Sequence, residues 1–383
     1  LQIYYTSFFK KSYLNIRVGI KIYTYFFLII YYIMNIIDYV SKNNLTMKDS
    51  PLNEVDSLVL SQLSYLYYEK VELPCKISDL TNYFYDLLGT DRDDLNNLNL
   101  LEKVCSSKRF SNIIVNYYIS KDNLVENKQF SAVTFFLETG DIYIAYRGTD
   151  GTVNGWKEDF NMSFLSPVPA QVEALKYLET VLSLTNNYCY IGGHSKGGNL
   201  AFYAAIYLKD KRRIKKVFSH DGPGFQEKVV TSKEFKNTEP LLYKTVPESS
   251  IIGMLLCNSE DYTVVKSNES GILQHDPFSW LVNDNSFIYL KRLTKTSIYT
   301  NKVLKDTINN LTKKEKEEFV KALFTIFDRA DIKTLKDLSK NWYKKIPPII
   351  KSMESLDDKI KKCLWDTIKV LVVFIIKNLP FLL

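Results

Sequence analysis

Apolar residues recur along this chain at two periods, and the switches between them predict its elements. Between Asn53 and Glu69 the apolar positions Val55, Leu58, Val59, Leu63 and Leu66 fall three or four residues apart, the spacing of one helix face. That helical pattern is the rule from Asp38 to about Phe130. Shorter runs rich in β-branched and aromatic residues then take over. Ile113 to Ile119 and Phe130 to Leu137 predict a strand pair that leads into a third strand, Ile142 to Tyr146. Pro169 to Leu184 predicts a helix, Tyr188 to Ile191 a strand, Asn199 to Tyr207 a helix, and Val217 to His220 the next parallel strand. Ser250 to Cys257 is the good buried-strand run that follows, and Ser286 to Leu293 predicts a last strand. Helices are expected again over Lys313 to Phe327, Ile332 to Tyr343 and Leu356 to Ile376. Strands alternating with helices predict an α/β fold with a mostly parallel central sheet flanked by helices.

The junction of one strand and its helix carries the chemistry. Gly192-Gly-His-Ser-Lys-Gly-Gly-Asn-Leu-Ala201 contains Gly193-X-Ser195-X-Gly197 directly after an apolar run and before a helical one. A serine on such a tight strand-to-helix turn is held in strained backbone with its hydroxyl lifted above the sheet. Side chains two positions away on either side would collide, so both positions must be glycine. The helix that follows aims unpaired N–H groups and its positive dipole end at the site, where an oxyanion would form. A bare Gly-X-Ser-X-Gly arises by chance about 0.1 times in a chain of this length, and the flanking strand and helix lower that further.

A serine needs a base, and the chain has 3 histidines: His194, His220 and His275. His194 adjoins the serine, so its side chain should point away from it, as a packing or hydrogen-bonding residue. His220 ends a strand near the carboxyl edge of the sheet, which suits a substrate-site residue, with Asp221 beside it, and it is the second choice for the base. His275 lies downstream, after turn-forming residues, and is the expected base. The acid should follow a strand between Ser195 and His275. Asp261, after the run Ser250 to Cys257, is the first choice, with Glu260 and Asp221 as alternatives. The order Ser195, Asp261, His275 is the one the fold uses. An earlier strand breaks into Arg147-Gly148-Thr149, whose Thr149 hydroxyl and N–H would form half of an oxyanion hole, the Lys196 backbone N–H forming the other half.

Tyr146-Arg147-Gly148-Thr149, then Trp156 with Asp159-Phe160, then Gly193-His194-Ser195-X-Gly197-Gly198-X-Leu200-Ala201 resembles the fungal-type class 3 lipase pattern of the α/β-hydrolase fold. More closely, Met34 to Tyr39, Asn53 to Leu58, His194 to Asn199 and His275 to Trp280 resemble a bacterial family of unknown function labelled Mbeg-like. The lipase resemblance implies a Ser195 acyl-enzyme, the triad above, and an oxyanion hole from Thr149 and Lys196. Two departures stand out: Lys196 replaces an apolar residue and brings a cation to the site, and the gap from Asp261 to His275 is short.

Composition narrows the rest. At 383 residues, 46% hydrophobic and 24% charged, the chain can bury one large core with accessory helices, and it has no low-complexity tract. The 5 cysteines, Cys75, Cys105, Cys189, Cys257 and Cys363, are scattered without metal-site spacing, which predicts a reducing compartment, no metal and no cofactor. The formal charge of +7 comes with lysines interleaved with acids over Lys302 to Lys362, a solvated pattern without a nucleic-acid motif.

The expected organisation is an apolar and basic leader over 1–33, a helical N-terminal cap over 34–112, a hydrolase core over 113–295 with a lid-like insertion at 222–248, and a helical region over 296–383. The family-like chain is expected to begin at Met34, the leader coming from upstream translation or a fragment boundary. Its apolar run Ile22 to Ile33 falls short of the ~20 residues a spanning helix needs. Leu364 to Leu383 is interrupted by Asp366, Lys369 and Lys377 and predicts an amphipathic helix. The expectation is a cytoplasmic serine hydrolase, esterase or lipase-like, acting on a small acyl ester, thioester or lipid, without nucleic acid. The alternative is a non-catalytic hydrolase-like scaffold or a membrane-associated binding protein, and the alternative location is the membrane, reached through the N-terminal apolar segment. Membrane-surface contact and oligomeric state stay open.

Overall fold

The computed structural model of the protein describes residues 34–87, 95–123, 128–149, 153–258, 261–331 and 356–378, with the single positions 347, 351 and 353. The leader, the candidate acid Glu260 and the helix expected over Ile332 to Tyr343 lie outside the described residues.

The period-two runs build the sheet. Strand β1 (Cys75–Lys76), β2 (Ile114–Asn123), β3 (Lys128–Phe136) and β4 (Ile142–Tyr146) pair antiparallel in sequence order. From β4 onward the pairing turns parallel, through β5 (Cys189–His194), β6 (Ile214–His220), β7 (Leu242–Pro247) and β8 (Thr263–Val265). An antiparallel edge strand, β9 (Tyr289–Leu290), completes a nine-stranded sheet in the order β1 to β9. Parallel neighbours need crossovers, and helices supply them between β4 and β7. This is the α/β-hydrolase fold.

Both faces of the sheet are covered, which is why β4 reads as unbroken apolar sequence rather than as an alternation. Tyr143 and Ala145 point into a core shared with helices α1 (Ile36–Lys42), α2 (Glu54–Leu63) and α3 (Leu95–Ser106). Ile142, Ile144 and Tyr146 point the other way, into a core shared with α5 (Pro169–Leu184) and α6 (Lys196–Tyr207). A short helix α4 (Val153–Asn161) follows β4 and precedes α5. Side chains of this size contribute about 1.5–3 kcal/mol each when fully buried.

Helix α2 starts where the sequence supplies a complete cap. The Asn53 side chain accepts from the N–H groups of Val55 and Asp56 at 2.9 Å each, and Asp56 reaches back to the Asn53 N–H at 2.9 Å. Asp56 also binds Arg109, and both side chains are fully buried. Arg109 spends its remaining donors on the carbonyls of Leu45, Thr46, Ser50 and Pro51, so every N–H of the guanidinium has an acceptor. One ion pair thus ties the loop before α2 to the segment after α3.

The run Ser250 to Cys257 is not a strand: it holds the 3₁₀ turn Ile252–Met254 and ends in an isolated bridge between Cys257 and Phe225. The strand beside β6 is β7, which Lys244 and Pro247 disguise in the sequence. The span 222–248, expected as a lid-like insertion, ends in that core strand, and its helix Lys233–Thr238 packs on α6.

At the C-terminal end, α7 (Lys295–Asn309), α8 (Lys313–Arg329) and α9 (Asp358–Asn378) form a helical layer. Phe319, Leu323 and Ile326 of α8 bury with Ile360 and Leu364 of α9 in one cluster, which Phe160 of α4 joins through an edge contact with Phe324. Helix α9 also packs on the turn Gly271–His275. No helix among the described residues is long and apolar enough to cross a membrane.

Candidate active site

Strand β5 ends at His194, helix α6 begins at Lys196, and Ser195 makes the whole turn between them with φ 57° and ψ −133°. That conformation is costly for a residue with a side chain, and the surrounding packing enforces it. A Cβ on Gly193 would lie 2.3 Å from the Gly197 carbonyl carbon, and one on Gly197 would lie 2.1 Å from the Tyr146 oxygen. The glycines therefore let β4, β5 and α6 converge under the serine. The Ser195 N–H is held by the His220 carbonyl at 2.9 Å, and its own carbonyl accepts from Gly198 at 2.9 Å.

His275 closes the 3₁₀ turn Gly271–His275. Its Nε2 lies 3.0 Å from Ser195 Oγ, and its Nδ1 lies 2.6 Å from Asp221 Oδ2. A carboxylate can only accept, so Nδ1 carries the proton and Nε2 presents its lone pair to the serine hydroxyl. Asp221 follows β6 directly, at φ 51°. Its other oxygen accepts from Ser250 Oγ at 2.5 Å and from the Gly253 N–H at 3.1 Å. The segment expected as a strand thus cradles the Asp221 carboxylate.

Lys244 secures that cradle. Its buried ammonium donates to the carbonyls of Gly222 at 2.7 Å and Gly253 at 2.6 Å and to the side-chain oxygen of Asn258. Burial pushes the lysine down to about 7, with the Asp221 carboxylate opposing. Three donors meet three oxygens, and the residue after Asp221 is locked to the loop that holds its carboxylate.

Asp261 does not enter this arrangement. It is exposed, while both ring nitrogens of His275 are engaged by Ser195 and Asp221. The reason is the misplaced strand. Asp261 precedes β8, and Thr263 of β8 stands level with His220 through Thr245 of β7, two strands or roughly 10 Å across the sheet. Asp221, one of the weighed alternatives, stands at the end of the nearer strand. The signal in the sequence was its place directly after the strand Val217 to His220.

His220, expected as a substrate-site residue, lies inside the core. It is fully buried, its Nε2 2.9 Å from Ser57 Oγ and its Nδ1 2.7 Å from Thr245 Oγ1, and burial pushes it down to about 3. The His194 ring packs against that of His275, with centroids 4.7 Å apart, and its Nε2 donates to the His275 carbonyl at 2.9 Å.

The two expected oxyanion residues are each tied to α4. The Thr149 hydroxyl donates to Asp159 Oδ2 at 3.0 Å, so in this state its proton is committed and only its N–H remains to serve an oxyanion. The Lys196 ammonium, expected as a cation at the site, is instead fully buried against Glu158 at 2.9 Å and the Gln129 carbonyl at 3.0 Å. Burial pushes the Asp159 carboxyl up to about 7, Lys196 pulling it down and Glu158 adding to the rise. Its Oδ1 is buried without a hydrogen-bond partner among the described residues. No group of three or more His, Cys, Asp or Glu among the described residues could hold a metal ion.

No curated protein matches the chain. Among solved structures it is similar to M37 lipase, at 16% identity over 54% of this chain and 70% of that one with a TM-score of 0.36. It is similar to a mutant form of MDLA from Penicillium cyclopium, at 11% identity over 61% and 88% with a TM-score of 0.37. It is also similar to Lip2 lipase from Yarrowia lipolytica, at 12% identity over 60% and 92% with a TM-score of 0.34. The family model described as Mbeg1-like matches residues 104–325, which include the elbow, Asp221 and His275. With more than half of its length so matched, the chain belongs to the Mbeg1-like family.

Proposed function

We propose that this protein is a serine hydrolase that cleaves a carboxylic ester or thioester through an acyl-enzyme on Ser195. The observation that carries the reading is the unbroken hydrogen-bonded chain from Ser195 Oγ through His275 to Asp221. His275 Nε2 takes the hydroxyl proton as Ser195 Oγ attacks the substrate carbonyl, then passes it to the departing alcohol or thiol. Asp221 remains ionised, fixes the tautomer and stabilises the imidazolium. The oxyanion is met by the N–H groups of Lys196, at the start of α6, and of Thr149. The Thr149 bond to Asp159 holds that turn in place. Water, entering after the first product leaves, is activated by the same histidine and releases the acid.

The substrate class is a small acyl ester or a lipid, and the five unpaired cysteines support a reducing, cytoplasmic setting. Ser195 is only 7% exposed, which favours one second reading, a hydrolase-like scaffold that retains the triad without turnover. Hydrolysis of p-nitrophenyl acetate, butyrate and octanoate by the wild type and by Ser195→Ala and His275→Ala separates the two. Turnover that needs both residues supports the hydrolase; wild-type rates equal to those of Ser195→Ala leave the scaffold.

A further inference from the structure

Two of the three histidines lie outside the triad, yet each sits one bond from it, and both are anchored by the same N-terminal segment. His194 Nε2 is 2.9 Å from the His275 carbonyl oxygen, which can only accept, so this nitrogen carries the proton and Nδ1 presents a lone pair. The Tyr65 hydroxyl lies 3.3 Å from that Nδ1 and 3.3 Å from the His194 carbonyl oxygen. It also abuts the turn proposed to meet the oxyanion. A Cβ on Gly148 would fall 2.1 Å from the Tyr65 hydroxyl, 2.6 Å from the His194 carbonyl oxygen and 3.2 Å from Ser195 Cβ. The hydroxyl therefore occupies the volume between the elbow, the oxyanion turn and the ring that steadies the base. On the other flank, Ser57 of α2 lies 2.9 Å from His220 Nε2, and the His220 carbonyl holds the Ser195 N–H while the next residue is Asp221.

We propose that the segment from Ser57 to Tyr65 is a brace for the triad, with Tyr65 and His194 acting as positioning residues that set the height and tilt of His275. The proposal rests on the triad reading above. Tyr65 lies N-terminal to residues 104–325, so the brace adds to the active site a part that the matched family region does not contain. His194 suits the task because burial and the neighbouring His275 keep it neutral, well below the usual histidine range. It does not compete for the proton that His275 takes, and its Nε2–H stays on the His275 carbonyl throughout the cycle. Its ring lies tilted against that of His275 with 4.7 Å between centroids, so it restrains the base through both main chain and ring.

The test compares Tyr65→Phe, His194→Gln and His194→Leu with the wild type and Ser195→Ala, each first shown to be folded by its near-ultraviolet dichroism. Gln keeps an N–H near the position of His194 Nε2, whereas Leu does not. The proposal expects Tyr65→Phe to lower kcat for p-nitrophenyl butyrate about tenfold with KM little changed. It expects the acid limb of kcat/KM to move to lower pH, because a loosened His275 is held less firmly on Asp221. His194→Leu should lose more and His194→Gln should recover part of the loss. The low-field proton resonance of the His275–Asp221 bond gives a readout that needs no turnover: it should exchange faster in Tyr65→Phe and His194→Leu than in the wild type or Ser195→Ala. Wild-type resonance, rates and pH profile in Tyr65→Phe would overturn the proposal. A wild type that shows the resonance but no turnover would overturn the hydrolase reading alone, with the exchange rates still deciding the brace.

Discussion

Replacing Asp221 by Asn separates the two candidate acids through a single proton. Asp221 Oδ1 accepts from Ser250 Oγ at 2.5 Å and from the Gly253 N–H at 3.1 Å. An asparagine must place its carbonyl oxygen there, because its NH₂ would face the Gly253 donor with no acceptor. The NH₂ then faces His275 Nδ1, which sits 2.6 Å from the present Oδ2. That nitrogen must become an acceptor, so the ring proton moves to Nε2 and points at Ser195 Oγ. The base is lost with little change in geometry. A triad acid made into an amide in this way costs roughly 10³- to 10⁴-fold in kcat, about 4 to 5.5 kcal/mol. KM for p-nitrophenyl butyrate should be nearly unchanged, since the substrate still docks. Asp261→Asn, at an exposed position before β8, should leave both constants at wild-type values. Steady-state kinetics on the two variants decides the matter. An Asp221→Asn protein that keeps more than a tenth of wild-type kcat, or an Asp261→Asn protein that falls as far, would refute the reasoning.

Three further outcomes follow from other parts of the molecule. Arg109→Met leaves Asp56 charged and buried without its partner, and should cost about 3–5 kcal/mol in urea unfolding; a loss under about 1 kcal/mol would contradict the packing described. Asp159, raised from its ordinary 3.8 to about 7, binds a proton in the folded state that the unfolded chain has released between those values. Its contribution is therefore fully present below about pH 4 and lost as pH rises through about 7, so Asp159→Asn should gain stability relative to wild type on going from pH 5 to pH 8, whereas a constant difference would oppose the assignment. Gly197→Ala should abolish activity and soluble expression together, because its Cβ meets the Tyr146 oxygen at 2.1 Å; an active, soluble Gly197→Ala would show that the elbow can relax.

The sequence revealed most where local chemistry and periodicity agreed. The run Ile142 to Tyr146 is apolar at every position because both of its faces are buried, and it was legible as a strand for that reason. The elbow was legible because its glycines answer to contacts within a few residues and with the adjoining strand. Strand β7 was not, because its central Lys244 reads as a solvent-facing residue until the three oxygens that surround it are known. Reading Ser250 to Cys257 as the strand makes Asp261 its natural successor, whereas the carboxylate that reaches His275 is that of Asp221. Of the apolar residues of that run only Ile251 is fully buried, and it packs with Leu304 of α7 rather than within the sheet. Lys196 misled in the same way, since its partner Glu158 lies 38 residues away in sequence. The roles of Tyr65 and Ser57 could not be read at all, because nothing in α2 announces that its serine and the tyrosine after it meet histidines more than a hundred residues later.

The claim on which everything else depends is that Ser195 is an activated nucleophile. Incubating the full chain with a fluorophosphonate and locating the adduct by peptide mass spectrometry tests it most directly. A single phosphonylated site is expected at Ser195, formed rapidly in the wild type and absent in Ser195→Ala and His275→Ala. A folded wild type that remains unlabelled, or one labelled equally fast without His275, would contradict it.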